Sequence, residues 1–104
     1  ALDPSIIEAQ MISGAIYGFS AAMQEEVTFN DGEAEQYNFY DYDALRIHNT
    51  PDFEVRILET KPHMGGVGEP GTPPAASALG NALFDLTGTR ARELPFIKTF
   101  DLIL

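Results

Sequence analysis

Apolar residues recur at helical spacing from the start of the chain, with Ile7, Met11, Ala15, Ala22 and Met23 close to one stripe. They follow Asp3-Pro4-Ser5, a capping residue and then a proline early in the helix, where a missing N–H costs nothing. The pattern predicts a first helix ending near Met23. Gly14 and Gly18 lie four apart on nearly the same face. They lower intrinsic helicity but let another backbone or a ligand come close. The period then changes. Val27-Thr28-Phe29 is rich in β-formers and runs into Asn30-Asp31-Gly32, a hairpin-turn signal, which makes residues 34–40 the returning strand. Phe53, Val55 and Ile57 alternate with polar residues and predict a third strand over residues 53–59. Residues 61–74 hold four glycines and four prolines, which sustain neither a helix nor a central strand, so they form a constrained loop. Ala75, Ala78, Leu79, Ala82, Leu83 and Leu86 restore helical spacing until Gly88 stops it. Leu94-Pro95-Phe96 follows without a periodic signal, and there is no internal repeat. The fold class is α+β: two helices packed on a small, mainly antiparallel sheet.

A chain of 104 residues is one small domain or a fragment of a larger one. Its hydrophobic content of 44%, with seven Phe and four Tyr, predicts a folded chain with a real core. The formal charge is −10, and the six Lys and Arg are scattered. Nucleic-acid binding and a polybasic membrane contact both need a basic patch, so neither partner is expected. With no cysteine, disulfides, thiolate zinc sites and cysteine-ligated iron–sulfur clusters are excluded from this chain. No apolar run reaches the roughly 18 residues of a membrane span, so no membrane insertion is expected. The N-terminus lacks a signal-peptide pattern, and a start at Ala1 fits a processed chain or an excised segment. His48 and His63 are distant from each other in sequence and lack a nearby Cys or a second close histidine, so no metal site made from them is expected. Tyr37, Phe39, Tyr40 and Tyr42 read as core or interface aromatics, and Arg90 and Arg92 as fold or subunit contacts.

The candidate chemistry lies in the loop. Gly66-Val67-Gly68-Glu69-Pro70-Gly71 has the spacing of a dinucleotide-binding fingerprint. That reading fails because Pro70, Pro73 and Pro74 delay the helix and remove amide donors, and Glu69 sets a carboxylate where phosphates would lie. The alternative is a lone carboxylate on a stiff, glycine-lined turn, where small neighbours admit a bulky cofactor or substrate. Such a group is suited to general-base work, although on the residues alone a structural loop with an incidental Glu is the better reading.

Gly65-Gly66-Val67-Gly68-Glu69-Pro70-Gly71-Thr72-Pro73-Pro74, continuing through the second helix to Leu94-Pro95-Phe96, resembles the C-terminal signature of the molybdenum hydroxylases. Within that family it is most like the large subunits of the isoquinoline 1-oxidoreductase type, themselves similar to xanthine and aldehyde oxidoreductases. The resemblance extends upstream through Ala9-Gln10-Met11 and Gly14-Ala15-Ile16-Tyr17-Gly18-Phe19-Ser20, after a turn that reads Asp3-Pro4 here. It also takes in Asn38-Phe39, Asp41-Tyr42, Arg46 and Thr50-Pro51-Asp52-Phe53. Where many relatives carry an acidic residue soon after the glutamine, this chain has Ile12 and Ser13.

The resemblance implies that residues 1–104 are the C-terminal segment of a molybdopterin-binding domain. It further implies a hydroxylation of an N-heterocycle or aldehyde with oxygen from water, with Glu69 in the position of the general base. Gln10 takes the position of a glutamine that hydrogen-bonds the molybdopterin, and backbone amides at Gly66 and Gly68 are further cofactor contacts. The implied partners are the remainder of the molybdenum-binding subunit, an iron–sulfur subunit or other electron-transfer partner, and a small-molecule substrate. The chain alone is then expected to be inactive, and the family's compartment is bacterial cytoplasm or periplasm. A non-catalytic interaction or scaffolding module derived from such a subunit is the alternative, distinguished by carrying neither molybdenum nor pterin.

Overall fold

The computed structural model describes residues 1–103. The first helix, α1, spans Pro4–Met23, with Asp3 as its cap and Pro4 in the first turn. The Asp3 carboxylate accepts from the Ile6 amide at 3.1 Å, satisfying one of the donors a helix N-terminus leaves open. A second helix, α2, spans Ala75–Thr87 and ends at Gly88, whose φ of 71° is the left-handed conformation that suits glycine. The Gly88 amide closes the last turn onto the Phe84 carbonyl at 2.7 Å.

Two short strands, β1 (Phe29–Asn30) and β2 (Glu33–Ala34), form an antiparallel hairpin with Phe29 opposite Ala34. Asp31 and Gly32 both have positive φ, 49° and 83°, as the tight hairpin turn requires. The returning strand is shorter than its residues predict. Gln36 caps the ladder by accepting from the Thr28 amide at 2.8 Å and donating to the Thr28 hydroxyl at 3.0 Å. The chain then turns through Asn38, whose carbonyl accepts from the Asp41 amide at 3.0 Å. The Glu35 amide still donates to the Thr28 carbonyl at 2.8 Å, and beyond that bond the Gln36 side chain takes the place of a backbone partner.

The third predicted strand has no ladder partner among the described residues and is not a strand here. Its alternation is nevertheless real. Phe53 and Val55 are half-buried while Glu54 and Arg56 are exposed, and Phe53 stacks on Phe19 of α1 with centroids 5.8 Å apart. Periodicity selects the face of a segment, but a strand also needs an edge to pair with.

The two helices pack through small residues. A Cβ built on Gly18 falls 2.6 Å from both the Ala75 Cβ and the Thr72 carbonyl oxygen, and one on Gly71 falls 2.8 Å from the Met11 carbonyl oxygen. Backbone meets backbone here, which only glycine allows. The tail that shows no periodicity also packs. Phe96, in a short 3₁₀ turn at Phe96–Lys98, is buried and lies against Gly80 of α2. Lys98 pairs with Glu26 beyond the end of α1. Arg90 is a fold contact: its guanidinium lies 3.9 Å from the Phe84 ring centroid and donates to Asn81 at 2.8 Å.

The core is sparser than the composition predicts. Among the described residues the buried hydrophobic side chains are Ala22, Ala75 and Phe96, whereas Phe39 is 88% exposed and Ile47 97%. Tyr37 and Tyr40 are exposed as well, so of that aromatic group only Tyr42 is partly covered. No helix among the described residues is long and apolar enough to cross a membrane.

Tyr42 donates to Glu25 at 2.8 Å, Glu25 also accepts from the Ser20 hydroxyl, and the Ser20 oxygen accepts from the Leu45 amide at 2.9 Å. The chain fixes residues 42–45 to the end of α1. The hydrogen bond to Glu25, then burial, then the Glu25 charge raise the Tyr42 phenol above its ordinary range. A raised phenol pKa means the contact contributes stability below the unfolded value of about 10 and loses it as pH rises through the folded value. Difference absorbance of the phenolate between wild type and Tyr42→Phe is expected to show one tyrosine titrating above pH 10, with exchange of the Leu45 amide accelerating over the same window.

Candidate functional site

The Glu69 loop is built from its own turn outward. The Thr72 amide donates to the Glu69 carbonyl at 2.9 Å, closing a four-residue turn with Pro70 in the second position, where its fixed φ is favoured. The Thr72 hydroxyl donates to the Gly14 carbonyl at 3.0 Å, and its carbonyl accepts from the Ala75 amide at 3.2 Å, leading into α2. The glycine contact of Gly71 with α1 completes the seat. Glu69 itself is exposed, so a stiff, docked backbone presents a free carboxylate.

Beside it lies a cleft of about 430 Å³ lined by Ser13, Gly14, Tyr17, Gly68, Glu69, Thr72 and Pro73. Gln10, far away in sequence, is brought to the same loop: a Cβ built on Gly68 comes 3.9 Å from Gln10 Nε2. Glu69, Gly68 and Gln10 therefore cluster at the junction of α1 and the loop. Gly66 lies outside this contact set; it is exposed, and a Cβ on it meets nothing within 4 Å.

Ser13, Tyr17 and Thr72 line the cleft without having been singled out as site residues. Ser13 and Tyr17 are one helical turn apart and flank Gly14, so they share the glycine edge of α1. That spacing is visible in the sequence. What marks it as part of a site is only the docking of the loop onto Gly14.

The donor set suits an organic cofactor that brings its own metal. Gln10 offers an amide with donor and acceptor, and Gly68 leaves its backbone open to close approach. Among the described residues no group of three His, Cys, Asp or Glu side chains is placed to hold a metal ion directly.

Comparison with known proteins bears on the family of the chain. No family model matches the chain. It is 40% identical over 92 residues to isoquinoline 1-oxidoreductase subunit beta of Brevundimonas diminuta, covering 88% of this chain and 12% of that protein. The chain belongs to the molybdenum hydroxylase family. It is also 31% identical over 111 residues to the aldehyde oxidoreductase molybdenum-binding subunit PaoC of Escherichia coli, covering 99% of this chain and 15% of that protein. A third relative in the comparison, 34% identical over 94 residues (90% of this chain, 12% of that protein), is a Gluconacetobacter polyoxogenes membrane-bound aldehyde dehydrogenase named for pyrroloquinoline quinone. The chain thus spans about an eighth of the length of these relatives.

Proposed function

We propose that this chain is the C-terminal segment of the molybdopterin-binding domain of a molybdenum hydroxylase large subunit, with Glu69 as the general base of a hydroxylation that takes its oxygen from water. The observation that carries the reading is that Glu69 and Gly68 line one cleft while Gln10 approaches Gly68, in a chain whose relatives include a molybdenum-binding subunit. When bound, the molybdenum cofactor supplies Lewis acidity and a two-electron acceptor.

The chain's own residues do the rest. Gln10 and the loop backbone at Gly66 and Gly68 hold the edge of the pterin through amide hydrogen bonds. Gly14, Gly18 and Gly71 hold the loop against α1, fixing the direction in which Glu69 receives a proton. Its substrate is an N-heterocycle or an aldehyde, the two classes named among the relatives.

The remainder of the subunit covers the exposed aromatics Tyr37, Phe39 and Tyr40, and an iron–sulfur subunit or other electron-transfer partner carries electrons away. A chain that buries so few large side chains, and holds only one edge of the cleft, is inactive alone.

Molybdenum and pterin analysis of the natively purified complex tests the assignment. Both are expected in stoichiometric amount, and pyrroloquinoline quinone in their place transfers the chain to the chemistry named for the Gluconacetobacter protein. Absence of all three leaves a scaffolding module. Within the holoenzyme, Gln10→Ala is expected to weaken cofactor retention about tenfold, the scale of one lost amide contact, as pterin released per protein on dilution.

A further inference from the structure

Tyr17 stands apart from the other aromatics near α1. Phe19, two residues on, is committed to Phe53, whereas Tyr17 is 74% exposed and lines the cleft that holds Glu69. It is the one aromatic residue in that lining; its companions Ser13, Gly14, Gly68, Thr72 and Pro73 are small or compact. The cleft volume of about 430 Å³ falls in the range of small-molecule sites. A flat polarizable face, a neighbouring proton acceptor and small surrounding side chains together suit a planar π-system.

Building on the function proposed above, we propose that Tyr17 is a specificity-determining residue whose ring stacks on an aromatic substrate and holds it beside Glu69, favouring heteroaromatics and aryl aldehydes over saturated substrates. The contact requires the ring and not the phenol hydroxyl, because offset stacking draws on the π-face. It distinguishes an unsaturated substrate from a saturated one of similar size by the stacking that only the former provides.

The test uses the complete enzyme and measures the equilibrium Kd for isoquinoline in wild type, Tyr17→Phe, Tyr17→Leu and Tyr17→Gln. Loss of one stacking face is expected to weaken isoquinoline about tenfold in the Leu and Gln variants, while Phe stays within about twofold of wild type. The ratio of kcat/KM for benzaldehyde over cyclohexanecarbaldehyde is expected to fall by a similar factor in the same two variants. Unchanged isoquinoline affinity in either variant, or no isoquinoline binding by wild-type enzyme, overturns the assignment. Glu69→Gln separates the two proposals: it is expected to bind isoquinoline with wild-type Kd. If that variant turns over normally, the base assignment is lost while the Tyr17 result stands.

Discussion

Glu69→Gln in the complete holoenzyme is expected to lower kcat by about 10²–10⁴-fold, the usual contribution of a positioned general base. The amide is nearly the same size as the carboxylate and sits on an exposed position of a turn whose hydrogen bonds are made by backbone and Thr72, not by the Glu69 side chain. Turn geometry, cofactor content and substrate Kd should therefore be kept, and kcat and kcat/KM should fall together, as they do when an interaction belongs to the transition state. Rapid-reaction measurement of the reductive half-reaction, alongside molybdenum analysis, reads both quantities. Near-normal turnover in a fully loaded variant removes Glu69 from the chemistry.

The second large effect is structural. Gly18→Leu places side-chain atoms where even a Cβ lies 2.6 Å from the Ala75 Cβ and the Thr72 carbonyl oxygen. Two competing terms decide the sign. Leucine is the better helix former by about 1 kcal/mol, but overpacking against atoms that cannot swing away costs about 1–3 kcal/mol. The carbonyl of Thr72 belongs to the turn that seats Glu69, so the clash wins and the loop and α2 move off α1 together. Hydrogen–deuterium exchange in residues 69–87 of the complete protein is expected to accelerate by about tenfold or more, with loss of turnover even at normal metal loading. Gly65→Ala is the control, because a Cβ there meets nothing within 4 Å, and its exchange should match wild type. Equal protection of α2 in Gly18→Leu would mean that the glycine contact does not hold the loop.

The local devices were legible in the chain itself. Asp3-Pro4, Gly88 and Asp31-Gly32 act through their own dihedrals and nearest hydrogen bonds, and each sits where its chemistry predicts. The Gly/Pro density of residues 61–74 likewise excluded regular structure there. The Gly-Glu-Pro motif and its flanks pointed to the family. Features that depend on a partner were not legible. Residues 53–59 alternate correctly yet form no strand, because pairing is a property of two segments. Phe96 is buried without any periodic signal, since its pocket is the bare backbone of Gly80 on another element.

Sequence by itself determined where helices start and stop, which residues form the rigid loop, and that Glu69 is the carboxylate it carries. Only the tertiary structure decided that Gln10 meets Gly68, that Tyr17 and Ser13 share a cleft with Glu69, and that Gly14, Gly18 and Gly71 form the seat between them. The physical reason is range. Capping and turn chemistry act over three or four residues, whereas the α1–loop contact joins positions 58 apart and exists only because glycine lets two backbones touch.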